Sequence, residues 1–510
     1  MLPIAKIISC HFIIKSFSIF LVFLFSIAQI LIMRNLFIFI TLFIITTIVA
    51  NASSVDSLIY GNFGKVYVYK PKVIPDAIVL FVSGDGGWNQ GPINMGKHLV
   101  DRGAMVVGIN ISKYLTSKMQ QHEKCYYPAG DFEELSLYLQ KKYKFRNYLK
   151  PILMGYSSGA TLVYGILAQA PANTFKGAIS MGFCPDIATV EPLCTTNELK
   201  QHPLKPGGVI WLLEPSDKLT APFIVINGMD DKVCDFKNTK MFMDKINNGE
   251  YIGVPKAGHG MSVQKNYLPH LLYAYDKIKK SVSYPEMVSA KNQAATQQQS
   301  QKPTSELPLI ILPVNTNDTL PLLVFISGEG GWTSFEEGIA ENLVKKGIPI
   351  IGIDTQKYFW QPRTPDETAK ELFKVIHHYL VAWNKKSFIL CGYSFGADAI
   401  PFMVTRLPFD LNYLMKGAVM MSPDPKTDFE IRTADMISSG SRCDKYNVLD
   451  EVKKSSLSHV TCFFGKDEDH EPKIWFENSG AIIRLLPGSH HYDNDFNAIS
   501  NEIINSIHKK

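Results

Sequence analysis

The sequence predicts two tandem α/β domains, each a mostly parallel sheet covered by helices. Three observations lead there. Short apolar runs alternate with helical stretches, one long segment occurs twice, and a serine set between glycines follows an apolar run at the matched place in each half. The repeat is "AIVLFVSGDGGWNQGPINMGKHLVDRGAMVVGINISKYL" at 77–115 and "PLLVFISGEGGWTSFEEGIAENLVKKGIPIIGIDTQKYF" at 321–359, with strand, glycine turn, helix and strand in one order. The runs "AIVLFV", "AMVVGI" and "PILMGY", matched by "LLVFIS", "IPIIGI" and "FILCGY", lack polar alternation. That is the pattern of parallel strands buried on both faces.

With 510 residues, 46% hydrophobic and 19% charged, the chain is long enough for two cores and too apolar to be mainly disordered. Residues 1–52 stand apart as a targeting region, with apolar stretches around 12–32 and 35–50 and no acidic residue. From Met33 the order is Arg34, the apolar run "NLFIFITLFIITTIV", then Ala50-Asn51-Ala52, the layout of a signal peptide at 33–52 cleaved before Ser53. The competing expectation is an uncleaved anchor or a two-span hairpin, since the apolar region is long enough for a bilayer core of about 30 Å. "SAKNQAATQQQSQKPTSE" at 289–306 cannot bury enough apolar surface to offset ordering and reads as a flexible linker. It separates a first domain at 53–288 from a second at 307–510.

Removing 1–52 takes away Lys6, Lys15 and Arg34, so the formal charge falls from +5 to +2, 49 basic against 47 acidic residues. Charges of both signs are interspersed, which argues against a nucleic-acid partner. Seven cysteines remain beyond the targeting region, and an odd number cannot all pair within one chain. Cys184 with Cys194, and Cys443 with Cys462, bracket short segments and are the candidate bridges. Cys391, ending an apolar run, is expected to be a buried small hydrophobe.

The two serines lie in Gly155-Tyr156-Ser157-Ser158-Gly159 and Gly392-Tyr393-Ser394-Phe395-Gly396. In a G-x-S-x-G turn the glycines relieve crowding between strand and helix and the serine projects above the sheet. A serine nucleophile needs a base, and the base benefits from a carboxylate that orients it. After Ser394 come Asp467, beyond an apolar strand, and the pair His490 and His491; after Ser157 come Asp230, Asp231 and His259. Serine, acid and histidine in that chain order characterise an α/β-hydrolase. Ser157 to Asp230 and Ser394 to Asp467 are both 73 residues, which selects Asp230 over its neighbour. His490, directly after "PGS", is the expected base and His491 the alternative.

The loops "SGDGGW" at 83–88 and "SGEGGW" at 327–332 follow an early strand, where such a fold places part of its oxyanion hole. Gly84, Gly86, Gly328 and Gly330, with the amides of Ser158 and Phe395, are the expected donors. Neither loop carries a Walker lysine or a complete dinucleotide fingerprint. Asp85 and Glu329 would favour an ammonium group there, or be solvated loop acids.

"SGEGGW", "GYSFGAD" and "LPGSHHYD" resemble the characteristic segments of the AcvB/VirJ family of exported bacterial virulence proteins, and the duplicated layout is similar to the longer AcvB form. The resemblance implies a periplasmic serine hydrolase acting on aminoacylated phosphatidylglycerol, particularly lysyl-phosphatidylglycerol, an aminoacylated membrane phospholipid. It assigns Ser394 as nucleophile, Asp467 as orienting acid and His490 as base, and it fits Glu329 facing a cationic aminoacyl group; His491 is the further candidate for substrate binding. Ser157, Asp230 and His259 form a possible second set. No metal or cofactor is expected, since the histidines lack HExxH spacing. The alternatives are a broader carboxylesterase or an exported protein that binds a cell-envelope or secretion-system protein without turnover.

Overall fold

The structure, a computed structural model, describes residues 55–121, 123–196, 198–282, 307–314, 320–432, 445–455 and 460–507. The expected targeting region, the stretch 289–306 and Cys443 lie outside the described residues. Asp56 to Lys510 form one compact unit.

The first half contributes β1 (Val55–Tyr60), β2 (Gly64–Tyr69), β3 (Ala77–Val82), β4 (Ala104–Ile109), β5 (Ile152–Tyr156), β6 (Gly177–Met181), β7 (Asp186–Ala188), β8 (Gln201–Pro203), β9 (Ile210–Leu213), β10 (Phe223–Gly228) and β11 (Gly249–Val254). The second contributes β12 (Leu309–Leu312), β13 (Leu322–Ile326), β14 (Ile350–Ile353), β15 (Phe388–Tyr393), β16 (Met415–Met421), β17 (Lys426–Thr427), β18 (Tyr446–Asn447), β19 (Val460–Gly465) and β20 (Ile482–Leu486). The first sheet runs β1-β2-β4-β3-β5-β6-β10-β11 and the second β12-β14-β13-β15-β16-β19-β20. From β2 onward the two orders are the same, with β2 and β12 antiparallel to their neighbours and the strands beyond them parallel. These are two tandem α/β-hydrolase-like domains.

The expected apolar strands are buried along their whole length, β3, β4, β13, β14 and β15 among them, because apolar layers cover both faces of each sheet. The tryptophan of each repeated glycine loop is explained by packing. A Cβ at Gly108 would run into the Trp88 ring, and one at Gly352 into the Trp332 ring. The small residue on the neighbouring strand makes room for the indole.

The segment around Trp360 joins the halves. Trp360 of the second half is 1% exposed within the apolar cluster of the first. Its indole N–H donates to the Phe145 carbonyl (3.0 Å), and Lys141 donates to the Trp360 carbonyl (2.6 Å) with its ammonium 4.5 Å from the ring centroid.

The disulfides differ from the expected pairs: they are Cys125–Cys194 and Cys184–Cys234. Nearness in sequence misled, because sheet order and loop pairing decide which cysteines meet. Cys194 N–H donates to the Tyr126 carbonyl (2.8 Å), which aligns it with Cys125. Cys184 follows β6 and Cys234 follows its neighbour β10. Cys391 is buried as expected, and so is Cys462; burial pushes both thiols up. Among the described residues, no helix is long and apolar enough to cross a membrane.

Candidate active site

Each serine sits at the junction of a central strand and a helix. Ser157 links β5 to helix Ser158–Gln169 with φ 55° and ψ −123°, and Ser394 links β15 to helix Phe395–Val404 with φ 50° and ψ −120°. A non-glycine residue in that region is strained by about 1–3 kcal/mol and is held there by its surroundings. The restraint is visible: Ser157 N–H donates to the Met181 carbonyl (2.9 Å) and Ser394 N–H to the Met421 carbonyl (2.8 Å), each on the next strand. Gly155 and Gly392 have no room for a Cβ, which would meet the carbonyls of Gly159 and Gly396.

In the first domain the bonds run from serine to acid. Ser157 Oγ lies 2.9 Å from His259 Nε2, and His259 Nδ1 lies 2.9 Å from Asp231 Oδ2. Asp231 is buried and its Oδ1 accepts the amides of Val233 (2.8 Å) and Cys234 (2.9 Å). This corrects the expectation of Asp230, which is exposed. Its N–H donates to the Ala257 carbonyl (3.0 Å), and the turn directs the following side chain inward.

The same shift occurs in the second domain. His490 Nδ1 meets Glu468 Oε1 at 2.8 Å, and Glu468 Oε2 accepts the Gly465 amide at 2.7 Å, while Asp467 is exposed with its N–H on the Gly488 carbonyl (3.0 Å). Equal spacing aligned the two turns correctly and picked the wrong member of each: serine to acid is 74 residues in both, from 157 to 231 and from 394 to 468. Burial raises the Glu468 pKa, but bonds from His490, Ser422 and the Gly465 amide outweigh it and hold the carboxyl below the usual range. His491 instead sets its ring edge-on to Phe335, centroids 5.3 Å apart; partial enclosure and the neighbouring His490 push its pKa down.

The base is more open in the second domain, His490 being 46% exposed against 20% for His259. The two sites also differ at one residue that sequence reading passed over. A Cβ at Gly182 would stand 3.2 Å from His259 Cε1, and the matching position after β16 is Ser422. The Ser422 hydroxyl lies 2.6 Å from the Tyr492 hydroxyl and also bonds Glu468. Among the described residues the second chain of bonds ends at His490.

The oxyanion expectation for Gly328 is corrected: its N–H donates to Glu336 Oε1 (3.0 Å), a buried carboxylate that also closes the capping box on Thr333. Phe395 opens its helix, so its N–H has no intrahelical acceptor and is available at the elbow. Gly330 and Glu329 line a cleft of about 510 Å3 between the halves, with Glu123, Tyr127, Asp131, Glu133, Glu134 and Gln356. Glu329 also borders the pocket that holds Ser394 and Phe395, along with Asp398, Asp424, Lys426, Asp428, Glu430 and Arg432. Asp398, buried, accepts the Asp424 amide (2.7 Å) and so fixes one wall.

In the cleft, burial lifts the Glu133 pKa to about 7, opposed by the Gln356 amide and reinforced by Glu329. Its folded pKa exceeds the ordinary 4.5, so between these values the folded chain holds a proton that the unfolded chain releases, and stability falls as pH rises through that window. Glu133→Gln is therefore expected to leave stability at pH 4.5 nearly unchanged and to raise it by about 1–3 kcal/mol at pH 8. Urea midpoints at both pH values check this; an equal shift at both would refute it.

Among the described residues, Asp231, Cys234 and His259 could bring metal-ligating atoms within 4.8 Å of one another. Cys234 Sγ is spent in its disulfide and His259 Nδ1 on Asp231, so the group serves as a hydrogen-bond chain.

Residues 76–182 and 320–510 match the family described as bacterial virulence protein (VirJ). No curated protein matches the chain. Similar solved structures include the esterase domain of a Rhodothermus marinus protein, at 14% identity and TM-score 0.31, covering 44% of this chain and 97% of that one. A dienelactone hydrolase from Anabaena variabilis gives 17% identity and TM-score 0.32, covering 44% and 95%. Est1E from Butyrivibrio proteoclasticus gives 14% and 0.29, covering 45% and 97%.

Proposed function

The chain belongs to the bacterial virulence protein (VirJ) family, and from that premise we propose an exported serine ester hydrolase. Its Ser394 site cleaves the aminoacyl ester of aminoacylated phosphatidylglycerol, the lysyl form foremost, at the periplasmic face of the inner membrane. The observation that carries this reading is the lining of the Ser394 pocket. Glu329, Asp398, Asp424, Asp428 and Glu430 face Lys426 and Arg432, five carboxylates against two cations, and the acidic cleft continues beyond Glu329. Arg432 pairs with Asp428 (2.9 Å) and Lys141 reaches Glu430 (3.2 Å), and the lining stays net negative with both counted. Such a lining attracts the ammonium groups of an esterified lysine and repels free phosphate.

In this mechanism Ser394 Oγ attacks the ester carbonyl as His490 takes its proton, and the Phe395 amide meets the developing oxyanion. Glu468 orients the imidazole and balances its charge. Phosphatidylglycerol leaves with that proton, and water, activated by the same histidine, releases the amino acid.

The test is lysine release from vesicles of phosphatidylglycerol and lysyl-phosphatidylglycerol on adding the purified protein. Release supports the proposal. Turnover of simple acyl esters alone would replace it with a broader carboxylesterase, and no turnover of either with a cell-envelope binding protein.

A further inference from the structure

We propose that the first domain holds a second, independent hydrolase site, built on Ser157, His259 and Asp231, for carboxylic esters whose acyl part carries no cationic group. The geometry is complete: Oγ to Nε2 at 2.9 Å, Nδ1 to carboxylate at 2.9 Å, and a buried acid held by two amides. A serine kept merely as a turn residue does not require a strained φ of 55° with a base and a buried carboxylate in line behind it. The family match in this half ends at residue 182, before Asp231 and His259, so the acid and base are features of this chain outside the match.

The substrate class follows from what replaces the carboxylates. Counting from the serines, Asp398 corresponds to Thr161; counting from the ends of β6 and β16, Asp424, Lys426, Asp428 and Glu430 correspond to Cys184, Asp186, Ala188 and Val190. Asp85 keeps the place of Glu329 and Asp186 replaces a lysine, but the other four carboxylates of that wall give way to neutral residues, with Ala188 and Val190 exposed. The same wall is tied to the acid-bearing turn by Cys184–Cys234, and the Thr161 hydroxyl donates to the Cys184 carbonyl (2.6 Å). The second domain has Asp424 and Glu471 at the two cysteine positions, so only the first site is covalently braced.

In the reaction, Ser157 Oγ bonds to the ester carbonyl carbon while His259 Nε2 accepts the hydroxyl proton. The alcohol departs with that proton, and water then splits the acyl-serine, restoring Ser157 and releasing the acid. No oxidant or co-reactant is needed.

The experiment uses the exported chain carrying Ser394→Ala, which silences the second site, with a fluorophosphonate probe and the p-nitrophenyl esters of butyrate and lysine. Mass spectrometry is expected to find the probe on Ser157, and butyrate ester turnover to exceed lysine ester turnover by about tenfold or more. Adding Ser157→Ala, or His259→Gln should the first variant fail to fold, is expected to cut butyrate turnover by about 100-fold. A folded Ser394→Ala protein without label on Ser157, or without butyrate turnover, would overturn the site. A preference for the lysine ester would overturn the substrate class. Lysine release from lysyl-phosphatidylglycerol that the unsubstituted chain shows and Ser394→Ala loses reports on the Ser394 site, so failure of either proposal is seen separately.

Discussion

Ser394→Ala is expected to lower lysine release from lysyl-phosphatidylglycerol vesicles by about 10³-fold or more with the fold intact, because in the proposed mechanism it removes the attacking atom and almost nothing else. Ser394 is only partly exposed and its N–H bond to Met421 belongs to the backbone, so alanine retains the elbow's principal restraint. Ser157→Ala is expected to have the smaller effect on this substrate, since no carboxylates replace Asp398, Asp424, Asp428 and Glu430 at the matching places of the first domain. Both variants should be compared at matched concentration with a denaturation curve for each. Normal lysine release by folded Ser394→Ala, or its loss in folded Ser157→Ala while Ser394→Ala stays active, would place the chemistry in the other domain.

The second large effect is expected at Glu468. Glu468→Gln keeps the side-chain length but removes the charge that His490 Nδ1 meets at 2.8 Å, and should cost about 10²–10⁴ in kcat on lysyl-phosphatidylglycerol. Asp467→Asn, at an exposed position, should stay within about twofold. The reverse ranking would restore Asp467 as the orienting acid. The folded pKa of Glu468 lies below its ordinary 4.5, so its contribution to stability is present above that value and is lost as pH falls through the folded pKa. Near neutral pH the carboxylate is ionised, so an acid limb of activity close to pH 6–7 would have to arise from a group other than Glu468.

The sequence alone carried the two-domain α/β reading because its signals are local or repeated. Unbroken apolar runs mark strands covered on both faces, and a 73-residue interval found twice marks one topology used twice. The elbows at Ser157 and Ser394 were legible for the same reason, since a serine between glycines after a strand leaves the backbone few conformations. The interval placed the acid turns and could go no further: every residue in a repeated turn is offset equally, so spacing cannot rank Asp230 against Asp231 or Asp467 against Glu468. Tertiary structure ranked them, because only one side chain of each pair leaves its turn toward an imidazole. It also assigned the Glu468 contact to His490 and the Phe335 contact to His491, gave the Gly328 amide to Glu336, and paired Cys184 with Cys234 across adjacent strands. The cleft that joins Glu133 of one half to Glu329 and Gln356 of the other left no trace in local sequence. Periodicity and spacing report what neighbours along the chain must do; contacts between residues far apart in sequence depend on how two folded surfaces meet.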